Sequence, residues 1–287
     1  MATLDPHKAP RAGPAGRAAH GGASGEPAAG LPAAGLPKIT PAVEHYLQAI
    51  YALTAERKVL IGARLAQHLR VSPPSVTQTL QRLERDGFII LHDRGDRKEI
   101  VLTEQGRQIG AEGTRKHRLI ERWLQKDLGL SSTEAHAEAE HLERGFSPFL
   151  LDRLYEAMGR PETCPHGNPI PDKDGTVVMD YEGVYLNQVR PGDEVVVGRI
   201  TEEAEADPDL LTYLERNGVG PKVSLTILAL DQMSGAVTAV TERRREIRLE
   251  GRSAALIWVL PKKTAQASEP AAPQGAAQPA VAAASRD

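Results

Sequence analysis

With 287 residues and a net charge of -3, the chain has room for two or three domains, but only part of it has the composition of a folded protein. Ala, Gly and Pro fill 24 of the 37 positions in 1–37, and Ala and Pro fill 13 of the 24 in 264–287, so neither stretch carries enough apolar surface to offset its ordering entropy, and both are expected to be disordered. The single cysteine excludes an intrachain disulfide framework, the absence of an apolar run of 18 residues excludes a membrane-spanning helix, and the N-terminal extension lacks the apolar core of a secretory signal. A cytoplasmic protein with no membrane partner is expected.

Charge is unevenly distributed. Lys and Arg number 11 against 8 Asp and Glu in 38–110, a surplus of +3; the counts are 9 against 12 in 111–178 and 11 against 14 in 179–263, each -3. Only the first segment has the sign expected of a phosphate-binding unit.

From Pro41 to Leu53 the residues Val43, Tyr46, Leu47, Ile50, Tyr51 and Leu53 recur at intervals of three and four, which predicts a helix with Thr40 as N-cap and Pro41 in its first turn. A short helix is predicted over Gly62–Leu69 and a third from Pro73-Pro74 to Asp86, with Val76, Leu80 and Leu83 inward. The runs Phe88-Ile89-Ile90-Leu91 and Ile100-Val101-Leu102, separated by Asp93-Arg94-Gly95-Asp96, predict a hairpin. Three helices closed by a charged hairpin make a winged helix-turn-helix. Residues 104–128 read as one long helix stopped at Gly129; Ser132 opens another that carries Ala135, Ala139, Leu142 and Phe146, and a further helix spans Pro148–Met158. From about 183 the pattern changes to short β-prone runs at 194–197, 223–228, 236–240 and 255–259, which predict a small barrel. The fold class is therefore mainly α with a small β part.

On the third helix, Ser72, Pro74, Ser75, Thr77, Gln78 and Arg82 have the polar character of a major-groove reader. Ser75, Gln78 and Arg82 share one face opposite the core stripe; Gln can pair with adenine and Arg82 can meet phosphate. In the hairpin, Arg94, Arg97 and Lys98 are candidates for phosphate contact. The competing reading of both sets is an ordinary solvated surface.

The middle segment carries His117 and Glu121 at i, i+4, and His136, Glu140 and Glu143 at i, i+4, i+7. At about 100° per residue, Glu140 and Glu143 fall about 40° and -20° from His136, a narrow stripe. Two such helices side by side can hold a divalent cation. Imidazole and carboxylate without thiolate suit Mn(II), Fe(II) or Zn(II), and the hard carboxylates favour the first two; a solvated face is again the alternative. His45 stands on the first helix, and Cys164-Pro165-His166 suggests soft metal ligation, but a lone Cys-x-His has no second pair to complete a zinc site, so it reads as a turn. No phosphate-cradling glycine loop, Gly-x-Ser-x-Gly elbow or His-Glu-x-x-His is present, so no enzyme is expected.

The run Glu44-His45-Tyr46-Leu47-Gln48-Ala49-Ile50-Tyr51, the stretch from Ser75 to Gly87, Lys116-His117-Arg118-Leu119-Ile120-Glu121 and Gly167-Asn168-Pro169-Ile170-Pro171 together resemble the metal-dependent repressors of the diphtheria toxin repressor and manganese transport regulator family, over about 38–178 and in order. The C-terminal strands resemble, more loosely, that family's SH3-like, FeoA-type domain. Between the compositionally disordered extension at 1–37 and tail at 264–287, the resemblance implies a winged helix-turn-helix DNA-binding domain at 38–110, a helical dimerisation and metal-binding domain at 111–178 and an SH3-like domain at 179–263. It also implies a homodimer that binds a palindromic operator in double-stranded DNA and represses metal-uptake genes, with no small organic substrate.

Carried over by position, His117, Glu121 and His136 match one family metal site, and His45, Glu140 and Glu143 match the other, with Gln48 as a further oxygen donor. Glu140 stands where iron-type members have Cys and manganese-type members have Glu, which favours Mn(II) over Fe(II); Zn, Co, Cd and Ni are expected to substitute in vitro. Two positions depart from the pattern. Arg144 replaces a ligand histidine, and His45 replaces the usual Asp or Met. From the third domain, Glu205, Asp207 and Asp209 are alternative extra ligands. The competing functions are a winged-helix regulator with a small organic effector, a metal-dependent hydrolase, and a metal buffer.

Overall fold

The computed structural model describes residues 39–262 except 57 and 178–181; the two stretches expected to be disordered lie outside the described residues. Helix α1 (Pro41–Thr54) starts where the Thr40 hydroxyl accepts the Val43 amide at 3.3 Å, which satisfies one of the free N–H groups of the first turn. Helices α2 (Gly62–Leu69) and α3 (Pro73–Arg85) follow, joined through Arg70 in the left-handed conformation. Strands β1 (Ile89–Arg94) and β2 (Arg97–Leu102) pair antiparallel from Ile89↔Leu102 to Arg94↔Arg97. Leu47, Ile50, Leu53, Leu65, Leu83, Phe88, Ile89 and Ile100 meet in one core and are fully buried. Each contributes about 1.5–3 kcal/mol of transfer free energy, which holds α3 in place and leaves its other face to solvent.

Helix α4 (Glu104–Leu128), begun at Thr103 and ended by left-handed Gly129, crosses α1 at close range. At Gly110 a Cβ would lie 2.5 Å from the Leu47 carbonyl oxygen and 2.7 Å from the Tyr51 Cβ, so only glycine permits the approach. Helix α5 (Ser132–Leu142) opens with a reciprocal capping box between Ser131 and Glu134. It is shorter than the sequence predicts: Glu143–Gly145 form a 3-10 turn and Phe146 is extended. The apolar spacing does reach Phe146, which packs against the cluster of Ile120, Leu124, Ala135, Ala139 and Leu151 without continuing the helix. Ser147 caps α6 (Pro148–Ala157), which packs on α4.

The last part is a six-stranded antiparallel sheet of order β3-β8-β4-β5-β6-β7, formed by β3 (Val184–Tyr185), β4 (Glu194–Ile200), β5 (Ser224–Leu230), β6 (Val237–Thr241), β7 (Glu246–Leu249) and β8 (Ile257–Pro261). Short helices α7 (Glu202–Glu205) and α9 (Gly251–Ala254) and the longer α8 (Pro208–Arg216) complete it. Four of the strands coincide with the predicted runs. The short β3 and the Arg- and Glu-rich β7 escape the pattern, as does α8, whose Leu210, Leu211 and Leu214 close the sheet's core. A register shift in β4 between Val197 and Arg199 gives the strand its irregularity, and Arg199 is buried against Glu56 at 3.0 Å. Among the described residues no helix is long and apolar enough to cross a membrane.

Candidate metal centre and nucleic-acid interface

Helix α4 brings His117 and Glu121 to one face, one turn apart, and α5 packs beside it with His136. The His117 Nε2 and His136 Nδ1 atoms lie 3.2 Å apart, and His136 Nδ1 is 3.6 Å from Glu121 Oε1. The third side of the site is Glu205 of α7, whose Oε2 is 4.0 Å from His136 Nδ1. His117, Glu121, His136 and Glu205 each offer a ligand atom within 4.8 Å of all the others. A second set, Glu121, Cys164 and His166, satisfies the same condition and shares Glu121.

His166 belongs to the turn after α6 and is 1% exposed. Its Nδ1 is 3.2 Å from Glu205 Oε1 and 3.4 Å from Glu121 Oε1. Gly167, at φ +86°, lets this turn sit against β4: a Cβ there would be 2.4 Å from the Gly198 carbonyl oxygen. The Ile200 amide donates to the His166 carbonyl at 2.8 Å, and Asn168 Nδ2 donates both to the Ile200 carbonyl and to Glu205 Oε1.

The electrostatics are those of buried acids facing imidazoles. Glu121 is fully buried and, among the described residues, neither of its oxygens has a hydrogen bond; neither ring nitrogen of His166 has one there either. A buried carboxylate without hydrogen bonds is costly unless a positive charge accompanies it. Burial would raise the Glu121 carboxyl, but the surrounding His166, His136 and His117 hold it well below its ordinary value. Burial would likewise depress His117, yet its hydrogen bond to Glu143 and the charges of Glu121, Glu143 and Glu205 push it up to about 9. His136 and His166 also rise against their burial, through Glu121 and Glu205. Metal binding at such a centre displaces these protons. The imidazole and carboxylate donors and the orphaned atoms of Glu121 fit a divalent transition-metal ion.

Of the other expected ligands, Glu143 donates nothing to a separate cluster: from its 3-10 turn it accepts from His117 Nδ1 and, at 3.4 Å, from Gln48 Nε2. Glu140 lies 3.7 Å from His136 Nε2. His45 is exposed and lines a cavity of about 810 Å³ together with Gln48, His136, Glu140, Glu143 and Arg144. His45, Glu140 and Glu143 thus face one space, but they do not converge as a tight ligand set among the described residues. Of the three acids offered by the third domain, Glu205 reaches the centre, whereas Asp207 caps α8 by accepting the Leu210 amide and Asp209 is exposed. Sequence reasoning weighed Cys164 and His166 as soft ligands and set them aside as a turn. The expected turn is present, but only the fold reveals that its ring and thiol face Glu121.

On α3, Ser72, Pro74, Ser75, Thr77, Gln78 and Arg82 are all exposed, as are Arg94, Arg97 and Lys98 in the hairpin. The Thr77 hydroxyl donates to the Pro73 carbonyl at 3.0 Å within its own helix. Arg82 is 3.6 Å from Asp86 and Arg94 is 2.7 Å from Glu99.

The chain is similar to known proteins over most of its length. Residues 38–96 match the family model described as the iron dependent repressor N-terminal DNA binding domain, residues 103–172 its metal binding and dimerisation domain, and residues 184–261 the FeoA domain. The iron-dependent repressor IdeR of Mycobacterium tuberculosis is 37% identical over 223 residues, which span 74% of this chain and 94% of IdeR. The chain belongs to the family of DtxR-type metal-dependent repressors. Within that family the diphtheria toxin repressor of Corynebacterium diphtheriae is 35% identical over 188 residues, 61% of this chain and 79% of that protein. Among solved structures, a manganese-dependent transcriptional repressor in complex with manganese superposes with a TM-score of 0.65 at 29% identity, covering 77% of this chain and all of the other. ScaR with bound Zn2+ superposes at 0.64 and 31% identity, with the same coverage. This DtxR-type chain is a metal-dependent DNA-binding repressor with an N-terminal DNA-binding domain, a helical dimerisation domain and a C-terminal SH3-like FeoA domain.

Proposed function

We propose that this repressor acts as a homodimer on a palindromic operator of metal-uptake genes, and that its activating metal is Mn(II), with Fe(II) as the alternative. His117, Glu121, His136 and Glu205 would hold the ion, with Glu143 orienting His117 and with His45, Gln48 and Glu140 on the cavity side. The observation that carries this reading is the origin of the ligands: α4, α5 and α7 each contribute to one cluster around the buried, hydrogen-bond-free Glu121. When bound, a divalent cation supplies the positive charge that lets four ligands from three helices adopt one arrangement.

The rest follows from this chain's own contacts. Helix α7 holds Glu205 toward the centre and Glu203 toward α2, where Arg64 Nε donates to it at 2.6 Å. Glu202, on the same helix, accepts from Arg118 of α4. Any ligand that fixes Glu205 therefore biases the orientation of α2 and, through the shared core, of α3. Operator binding selects that orientation, so the coupling is reciprocal: DNA must tighten metal binding by the factor by which metal tightens DNA binding.

The test is fluorescence anisotropy of chelator-stripped protein on an operator selected from a random pool, with Mn(II) or Fe(II) added anaerobically. Binding that appears only with metal is expected, and the relative potency names the metal. Equal affinity with and without metal would overturn the proposal.

A further inference from the structure

The third domain is acidic as a whole, yet the turn between β6 and β7 is not. Residues 242–252 hold five arginines and three glutamates, which leaves 6 basic against 11 acidic residues in the rest of 179–263. Arg243, Arg244 and Arg245 stand side by side at the tip, all exposed. Among the described residues the side chains of Arg243 and Arg244 have neither an ion pair nor a hydrogen bond. Arg245 donates to the carbonyl of Arg216, the last residue of α8, which brings a fourth exposed guanidinium to the same end of the domain.

The turn is held in one shape. The Thr241 amide donates to the Arg245 carbonyl at 2.9 Å, the Arg244 amide to the Thr241 carbonyl at 2.8 Å, and the Arg245 amide to the Thr241 hydroxyl at 3.2 Å, with Thr241 itself buried. Arg244 sits at φ +58°, in the left-handed region where glycine carries no steric penalty. A strained position that keeps a long cationic side chain points to a use for that side chain outside the fold.

We propose that this turn is a second DNA contact, in which Arg243 and Arg244 bind phosphates of the duplex that flanks the operator. The inference rests on the reading of this chain as a DNA-binding repressor and adds a surface to it. Adjacent guanidiniums without carboxylate partners repel one another, and a polyanion removes that repulsion. The planar fork of arginine matches the oxygens of a phosphate. Placement favours DNA over other polyanions. Arg70, two residues before the start of α3, donates to the Ala206 carbonyl, and α8 begins two residues later. From there a helix of nine residues, about 13 Å long, leads to Arg216 and the arginine turn. The turn is thus tied to the recognition unit by a short, rigid connection, and contacts to phosphate alone add affinity without base preference.

The probe is an operator selected from a short random pool, made as two duplexes: one ending at the operator's edge, the other extended by about one and a half helical turns of arbitrary sequence on each side. Anisotropy is measured with full-length protein at saturating Mn(II) or, anaerobically, Fe(II), over a series of salt concentrations. The wild type should bind the extended duplex about five- to twentyfold more tightly, with a salt slope steeper by about two for each protomer that reaches the flank. Arg243→Ala combined with Arg244→Gly should bind the short duplex as the wild type does and lose the preference for the extended one. Glycine suits the left-handed position, so this variant should melt no lower than the wild type, which separates lost contact from lost structure.

Equal wild-type affinity and salt slope on the two duplexes overturn the inference and leave the operator-binding reading intact. A flank preference that survives in the double variant places the contact elsewhere and overturns it equally. Cosedimentation with phosphatidylglycerol vesicles that depends on the two arginines, without any flank preference, gives the turn to a lipid surface instead. A wild type that binds neither duplex with metal overturns the DNA-binding reading itself.

Discussion

The carboxylate of Glu203 accepts the Nε–H of Arg64 at 2.6 Å, which ties the short helix that carries Glu205 to the second helix of the DNA-binding unit. Lys58 reinforces the contact at 3.2 Å, and Arg70 of the same unit donates to the Ala206 carbonyl. If this link transmits metal occupancy, Glu203→Gln should leave metal stoichiometry unchanged and weaken metal-activated operator binding by about two- to fivefold, the scale of the ~1 kcal/mol that a partly exposed ion pair supplies. Anisotropy on the operator and calorimetry on the metal, run on the same preparation, check the split. An equal loss in metal affinity would make the pair merely structural.

On α3 the two polar positions should differ in kind. Gln78→Ala is expected to relax base preference at one operator position by about 1–3 kcal/mol, because it removes a bidentate partner. Arg82→Ala should weaken all sequences alike and flatten the salt dependence by about one phosphate. Competition against a panel of single-base operator variants at two salt concentrations separates them.

Tyr185 supplies the pH prediction. Its hydroxyl donates to the Glu56 carbonyl at 2.9 Å, and burial, with the Glu56 charge adding to it, pushes the phenol up to about 12 from an ordinary 10. The folded state thus retains this proton more tightly than the unfolded chain. Stability from this group is complete below pH 10 and falls as the pH rises from 10 to 12, where the unfolded state alone ionises. Denaturant melts across that window should show a decline that Tyr185→Phe removes.

Helix α6 presents Phe149, 75% exposed, beside Leu150, 45% exposed, an unusual expense of apolar surface for a helix in contact with water. If this face joins two protomers, Phe149→Glu should shift the protein from dimer to monomer in sedimentation equilibrium and abolish operator binding while leaving circular dichroism unchanged. A dimer that survives the substitution assigns the interface elsewhere.

Much of the fold was legible because periodicity reports local structure. The Val43–Leu53 stripe, the Pro73-Pro74 start and the hairpin break at Gly95 each announce an element within a few residues of where it lies. The pairing of His117 with Glu121 was legible for the same reason, since one helical turn fixes it. The turn after Leu142 was not, because the apolar spacing continues to Phe146 after the helix has ended, and this moves Glu143 out of the stripe and onto His117. Nor was the role of His166 legible: its partners Glu121 and Glu205 are 45 and 39 positions away, and only the docking of the turn on β4 brings the three together. The choice of Glu205 over Asp207 required knowing that Asp207 is committed to capping α8.

The joint between the His166 turn and β4 consists of main-chain atoms, the Asn168 amide and the guanidinium of Arg199, which donates to Asn168 Oδ1 at 3.3 Å, with Gly167 pressed against the Gly198 carbonyl. Substitutions along β4 other than at Arg199 leave the main-chain part of this joint largely untouched, since its atoms are common to every residue. On the turn's side the sensitive position is Gly167, where one added methyl group would wedge the turn from the strand and carry His166 and Asn168 away from Glu205. The weakest point of the centre is thus a position with no chemistry of its own, and damage there would be steric: a mutational screen that scores only ligands would pass over it.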